Sequence, residues 1–339
     1  MSRAQLTSTV EQSSGGAVAP FLAGKNKIIN GDFGVWQRGT SFSSGVYTAD
    51  RWVTGYINGG ISLTWSQVAF DYGSSPASDK LPISGQNGTY FARSSIASAS
   101  ATYAETFVQK IEDVKTFANQ TIAISFWAKS DSARTQTLAI YQLFGSGGLA
   151  TAGGGVSTFN TTTSWQRFTF TTTPASIVGK TIGAGSNIGF YIAQAVASGS
   201  VLDLWGVQVE AGSVATPFTT ASNTLQGELS LCQRYYWRNN GDTFSQLGAG
   251  TNASTTAAYI QVSAPVTMRT IPTAIDYANL SVYDSASYPG VSAISFLGNQ
   301  SSPKTFGINC TSTSLTQFRP VFLICNNNIN GYLGFSAEL

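Results

Sequence analysis

The chain contains no histidine among its 339 residues. That absence removes the general base of Ser and Cys triads, the commonest transition-metal ligand and the one side chain that changes charge near neutral pH. Its three cysteines, Cys232, Cys310 and Cys325, are odd in number and lack CxxC spacing. They predict neither a zinc site nor a complete disulfide framework, and read as reduced, mostly buried thiols. Hydrolysis of a glycosidic bond, a reaction that dispenses with histidine, usually takes two carboxylates placed about that bond. Only 16 acids are present, and Glu112-Asp113, in an expected turn, is the one recognisable pair. Asp50-Arg51-Trp52 reads as a partly buried ion pair capped by an aromatic ring, and Tyr235-Tyr236-Trp237 as packing between units. The expectation is a protein that is not an enzyme.

The elements that position these residues follow from composition. Lys and Arg number 18, the net charge is +2 and only 10% of residues are charged, so there is no basic surplus to gather into a nucleic-acid surface. No run of about 18 apolar residues is present, nor a basic-then-apolar leader, so no membrane insertion is expected. With 42% hydrophobic residues, including 20 Phe, 14 Tyr and 7 Trp, a large core is available. Scarce charge with 35 glycines suits strands and turns better than exposed amphipathic helices. Alternation or β-rich runs predict strands over 61–68, 121–128, 137–143, 164–172, 187–193 and 201–209, spaced as in a two-sheet sandwich. Residues 1–26, broken by Ser13-Ser14-Gly15-Gly16, read as a flexible N-terminal arm. Beyond 229, strands are expected over 256–267, 273–283, 291–297, 304–311, 317–325 and 331–338, a smaller C-terminal β-sandwich head. Over 106–118, Phe107, Ile111, Val114 and Phe117 also fit helical offsets, so periodicity alone permits a helix there.

Three segments carry a resemblance. Asn30-Gly31-Asp32-Phe33 followed by Asp50-Arg51-Trp52, Gln109-Lys110-Ile111-Glu112 leading into Ser125-Phe126-Trp127-Ala128-Lys129, and the closing strand Leu202 to Glu210 resemble the jelly-roll carbohydrate-binding modules. Gly206-Val207-Gln208-Val209-Glu210-Ala211-Gly212, running on to Thr216-Pro217-Phe218, resembles the exit of such modules in phage tail-fibre and tail-spike proteins. The resemblance implies a jelly-roll over 27–228 and the head over 229–339, with a strand through 109–111 and a turn over 112–117 in place of the helix. It implies attachment to host surface polysaccharide through aromatic faces, with Tyr141 and Trp165 as candidates in the body, flanked by Gln142 and Gln166. Many modules of the family hold a structural Ca²⁺ with oxygens from the opening strand and paired acids near the closing one; the resemblance makes Asp32 and Asp203 the counterparts here, although Trp205-Gly206 stands where acids are usual. A virion tail location, a homotrimer and an arm docked on a tail or baseplate protein are implied too. Chain order then places recognition in the head, where Tyr283 and Tyr288 offer rigid rings beside Asn-rich loops such as Asn326-Asn327-Asn328. A glycan depolymerase and a purely structural decoration protein are the alternatives.

Overall fold

The computed structural model describes residues 24–43, 46–72, 88–285 and 287–339. Residues 1–23 of the expected arm lie outside them. The first eleven strands are β1 (Ser41–Ser43), β2 (Ile57–Asn58), β3 (Ile61–Ala69), β4 (Tyr90–Ala99), β5 (Tyr103–Glu112), β6 (Ile122–Ser130), β7 (Arg134–Leu143), β8 (Ala152–Thr161), β9 (Gln166–Thr172), β10 (Asn187–Gln194) and β11 (Ser200–Ala211). They form a six-stranded sheet, β1-β3-β4-β11-β6-β9, and a five-stranded sheet, β2-β5-β10-β7-β8. All pairings are antiparallel. The chain crosses from one sheet to the other at almost every step, which makes this body a jelly-roll sandwich. Alternation along each strand sends one set of side chains between the sheets. Trp52, Trp65, Phe33, Phe107, Phe126 and Phe190 are fully buried there.

Turn chemistry decides the helix-or-strand ambiguity near residue 110. The strand β5 runs to Glu112, Asp113 then takes φ 65°, and turns follow to Asn119 at φ 57°. A left-handed residue ends the extended run and forbids a continuous helix. Phe107 and Ile111 lie two apart from Gln109 on the inward face, while Val114 and Phe117 are buried from the turn.

The body takes up the chain slightly before Lys27. Asn26 is 1% exposed, donates to Val207 O and Thr219 O, and accepts from the amides of Ile28 and Val209. Lys25 pairs with the buried carboxylate of Glu210. At Gly206, φ 64°, the ladder between β11 and β6 is interrupted, and the Val207 amide turns to Gly31 O. A Cβ on Gly31 would sit 2.2 Å from Val207 O, so the opening segment can lie against this bulge only as glycine.

A helix, α1 (Leu225–Gln233), is N-capped by Thr224 and leads into β12 (Tyr236–Asn240), β13 (Gln246–Asn252), β14 (Ala257–Ser263), β15 (Ala274–Ala278), β16 (Leu280–Tyr283), β17 (Ala293–Phe296), β18 (Thr305–Thr311), β19 (Pro320–Cys325) and β20 (Tyr332–Ser336). These make a three-stranded sheet, β12-β20-β15, and a six-stranded one, β16-β19-β13-β14-β18-β17, around a second core that includes Trp237, Phe306 and Phe335. The run expected as one strand over 273–283 is two strands in different sheets. Asn279, φ 54°, makes the turn between them. Cys232, Cys310 and Cys325 are free and buried. No described helix is long and apolar enough to cross a membrane.

Body and head share a polar, charge-dense seam. The Arg51 guanidinium, 2% exposed, pairs with Glu338, donates to Lys110 O at 2.6 Å and lies 3.5 Å over the Tyr235 ring. Arg38 reaches Asp50 and Glu338 and lies 3.4 Å over Tyr236. Asp50-Arg51-Trp52 is therefore architectural, and Tyr235 and Tyr236 meet the body while Trp237 stacks on Phe335 in the head core.

Burial pushes the Asp50 carboxyl up to about 7, against the opposing pull of Arg38 and the Gln37 amide. An acid raised on folding stabilises the fold fully below its unfolded pKa, near 4, and loses that contribution as pH rises through the folded value. Between about pH 4 and 7 the wild type should therefore lose stability relative to Asp50→Asn. Parallel slopes for the two proteins in urea titrations across that range would contradict this assignment.

Candidate functional site

The solvent face of the five-stranded sheet gathers tyrosines. Tyr141 on β7 is directly opposite Gly189 on β10, and Tyr191 is two residues along β10 on the same face. Their rings meet edge to face at 5.2 Å. The Tyr191 ring lies back over Gly189, where any Cβ would fall 2.2 Å from it, so the glycine makes the space the ring occupies. Tyr103, on β5, raises the cluster to three, and its hydroxyl donates to Glu105 Oε1 at 3.2 Å. The other Glu105 oxygen accepts from the Tyr56 amide at 2.8 Å, which fixes the exposed Tyr56 ring at the sheet edge. Burial with the nearby Glu105 carboxylate raises the Tyr191 hydroxyl to about 12 and the Tyr103 hydroxyl further still, so both remain O–H donors throughout the working pH range. The half-buried Tyr103 and Tyr141 rings, backed by Tyr191, which is 9% exposed, over a small, mostly apolar base (Val108, Ala139), are suited to a flat polyhydroxylated ligand.

Of the residues expected here, Tyr141 is on this face, but Trp165 is not. Trp165 is 6% exposed and packs with Phe70, Phe91 and Trp205 on the outer side of the opposite, six-stranded sheet. Its ring is 5.2 Å from Phe91 and 5.6 Å from Phe70, and this aromatic layer over the sheet leaves no face for a ligand. Gln142 also points away, buried and donating to Ala175 O. Tyr103 and Tyr191 escaped sequence reading: Tyr191 sits in a strand that was expected, whereas Tyr103 opens a strand that was expected only through 109–111. The signal was the pairing register, which places Tyr191 diagonally from Tyr141, and register is not written in either strand alone.

In the head, Tyr283 and Tyr288 come together as a stacked pair, 4.7 Å apart with planes 13° apart, and Phe244 is 5.9 Å from Tyr288. The patch is partly exposed and continues in register to Phe322.

Asp32 and Asp203 do not make a cation centre. Both Asp203 oxygens are held by the Arg93 guanidinium, at 2.7 and 2.8 Å, with Lys129 at 3.7 Å. A carboxylate so engaged has no oxygen pair left for a hard cation, which wants several. No group of three or more His, Cys, Asp or Glu suited to a metal occurs among the described residues. Asp32 instead lines a hollow of about 450 Å³ beside Trp205 and Phe218.

The described chain is thus an all-β protein whose larger part is a jelly-roll sandwich with a tyrosine-bearing outer face. No family model matches it, and no curated protein does. Among solved structures it is similar to a CBM4 carbohydrate-binding module, with 21% identity over 54% of this chain and 98% of that one and a TM-score of 0.32. It is similar also to the enzymatically active domain of tailspike protein 4 of bacteriophage CBA120, with 15% identity over 56% of this chain, 22% of that chain and a TM-score of 0.34. A third is TmCBM61, solved with β-1,4-galactotriose, with 12% identity over 55% and 99% of the two chains and a TM-score of 0.32.

Proposed function

We propose that this protein binds glycan through the outer face of the five-stranded sheet, as a non-catalytic tail-fibre or receptor-binding subunit that attaches a phage to host surface polysaccharide. The observation that carries the binding step is the grouping of Tyr103, Tyr141 and Tyr191 around the Glu105 carboxylate on the outer face of one sheet. Pyranose rings present apolar faces to such side chains and hydroxyls to the carboxylate and phenol groups between them. A binding role also suits the state of the acids. Asp50, Asp203, Glu210 and Glu338 each face a cation, and Glu228 is held by the Asn30 amide and by the amide and hydroxyl of Ser222. The virion tail location, the homotrimer and docking on a tail or baseplate protein belong to the same reading.

The stacked Tyr283–Tyr288 pair beside Phe244 favours a second reading, in which the head makes the contact. The buried seam argues for testing point variants in the full chain in preference to separated halves. Tyr141→Ala combined with Tyr191→Ala should reduce adsorption to host cells and binding to extracted surface polysaccharide by a factor of about 10². Undiminished binding in that variant, with loss in Tyr283→Ala combined with Tyr288→Ala, would move the site to the head.

A further inference from the structure

The hollow beside Asp32 is on the opposite side of the sandwich from the tyrosine face, and its chemistry differs. Trp205 is 3% exposed, and its indole N–H has no hydrogen-bond partner among the described residues. A buried donor of that kind is costly unless something outside the protein accepts from it. Trp205 lines the hollow, with its Nε1 edge against Gly88 at the wall, where a Cβ would come within 2.6 Å of it. Phe218, 4.9 Å from Trp205, adds a second aromatic wall, and Thr219 and Asn223 add polar groups at the rim.

The charge in the hollow is negative and uncompensated. Among the described residues the Asp32 carboxylate accepts only from backbone amides, that of Gly34, at 3.3 Å, and its own, and no ion pair to it occurs there. Burial, and after it the like charge of Glu228, raises Asp32 to about 6. Every other buried aspartate described above meets a guanidinium. A lone carboxylate beside a second one, walled by two aromatic rings, favours a cation whose body is apolar on one side. The free indole N–H asks the same ligand for an oxygen acceptor.

We propose that this hollow binds one amino-sugar residue, its ammonium group set against Asp32, its ring face against Phe218 and Trp205, and a hydroxyl oxygen accepting from the Trp205 N–H. The proposal shares with the tyrosine-face reading only the class of ligand, a saccharide. It would give the body two separate contacts, one for neutral rings and one for a basic residue.

The test is calorimetric titration of the full chain with a glucosamine tetramer, its fully N-acetylated counterpart and a glucose tetramer. The wild type should bind the glucosamine tetramer, with at least a tenfold loss in Asp32→Asn and a several-fold loss in Trp205→Phe, while Tyr141→Ala/Tyr191→Ala leaves that affinity intact. The acetylated tetramer, having no ammonium, should bind no better to the wild type than the amine does to Asp32→Asn. Equal affinity for amine and acetylated tetramers, or unchanged amine binding in both Asp32→Asn and Trp205→Phe, overturns the proposal. So does a loss confined to the tyrosine variant, which assigns the amine to the tyrosine face and leaves that reading standing. Competition by Ca²⁺ that abolishes amine binding in the wild type while Trp205→Phe binds normally would assign the hollow to a cation and equally sink it. Trp205→Phe keeps an aromatic ring and supplies the answer if Asp32→Asn is misfolded.

Discussion

Replacing Glu338 by alanine is expected to cost about 3 to 5 kcal/mol of stability, because it strands a buried guanidinium. Arg51 is 2% exposed and Glu338 5% exposed, so neither charge can turn to water when its partner is removed. Arg51 is also held in place by more than attraction. Its φ of 73° is left-handed, its Nη2 is committed to Lys110 O and its plane is fixed over Tyr235, while its Nε already lacks a partner. The contrasting case is the exposed Arg134–Asp131 pair, where Asp131→Ala should cost less than about 1 kcal/mol. Urea unfolding of the two variants gives the comparison. A loss below about 1 kcal/mol in Glu338→Ala would show that the seam relaxes and admits water.

The second large effect is expected in the head, from a single methyl group. Gly250 is in β13, paired on one side with Ile260 and on the other with Val321. A Cβ there would stand 1.7 Å from the Tyr259 carbonyl oxygen, a backbone atom that cannot rotate away. Gly250→Ala must therefore push β14 off β13, and a loss of more than about 3 kcal/mol, with collapse of the head sheet, should follow. Gly153→Ala is the control, since its Cβ would meet nothing within 4 Å. Thermal melts followed by circular dichroism decide the matter: a Gly250→Ala transition as high as that of Gly153→Ala would mean that the strand pairing is looser than described.

That glycine also shows where sequence reading stopped. The run Ile61–Ala69 declared itself because its residues alternate between a buried and an open face, and Ile122–Ser130 because its apolar residues alternate in sequence although both of its faces are buried. The strands Gln246–Asn252 and Ala152–Thr161 did not, being rich in glycine that strand propensity discounts. The helix Leu225–Gln233 was missed too; only Glu228 and Cys232 of its nine residues are buried, so no apolar stripe marks it. The candidate site divided in the same manner. Tyr141 could be named from its strand, but its partners depended on register, and Trp165 was misplaced because both faces of the six-stranded sheet are apolar in the middle of the body. Asp50-Arg51-Trp52 was legible as architecture, though not that its partner would be Glu338.

The distance along the chain between those partners has a consequence for biosynthesis. Arg51 and Glu338 are 287 residues apart, and Tyr47 and Lys110 likewise wait for the carbonyl of Leu339. As the polypeptide leaves the ribosome, the jelly-roll can close its own aromatic core long before the head exists. Its flank around Tyr47, Arg51 and Lys110 then has a guanidinium without its carboxylate and two unanswered donors. The nascent body is complete in its core and incomplete at its edge, a state that ends when residues 338 and 339 arrive.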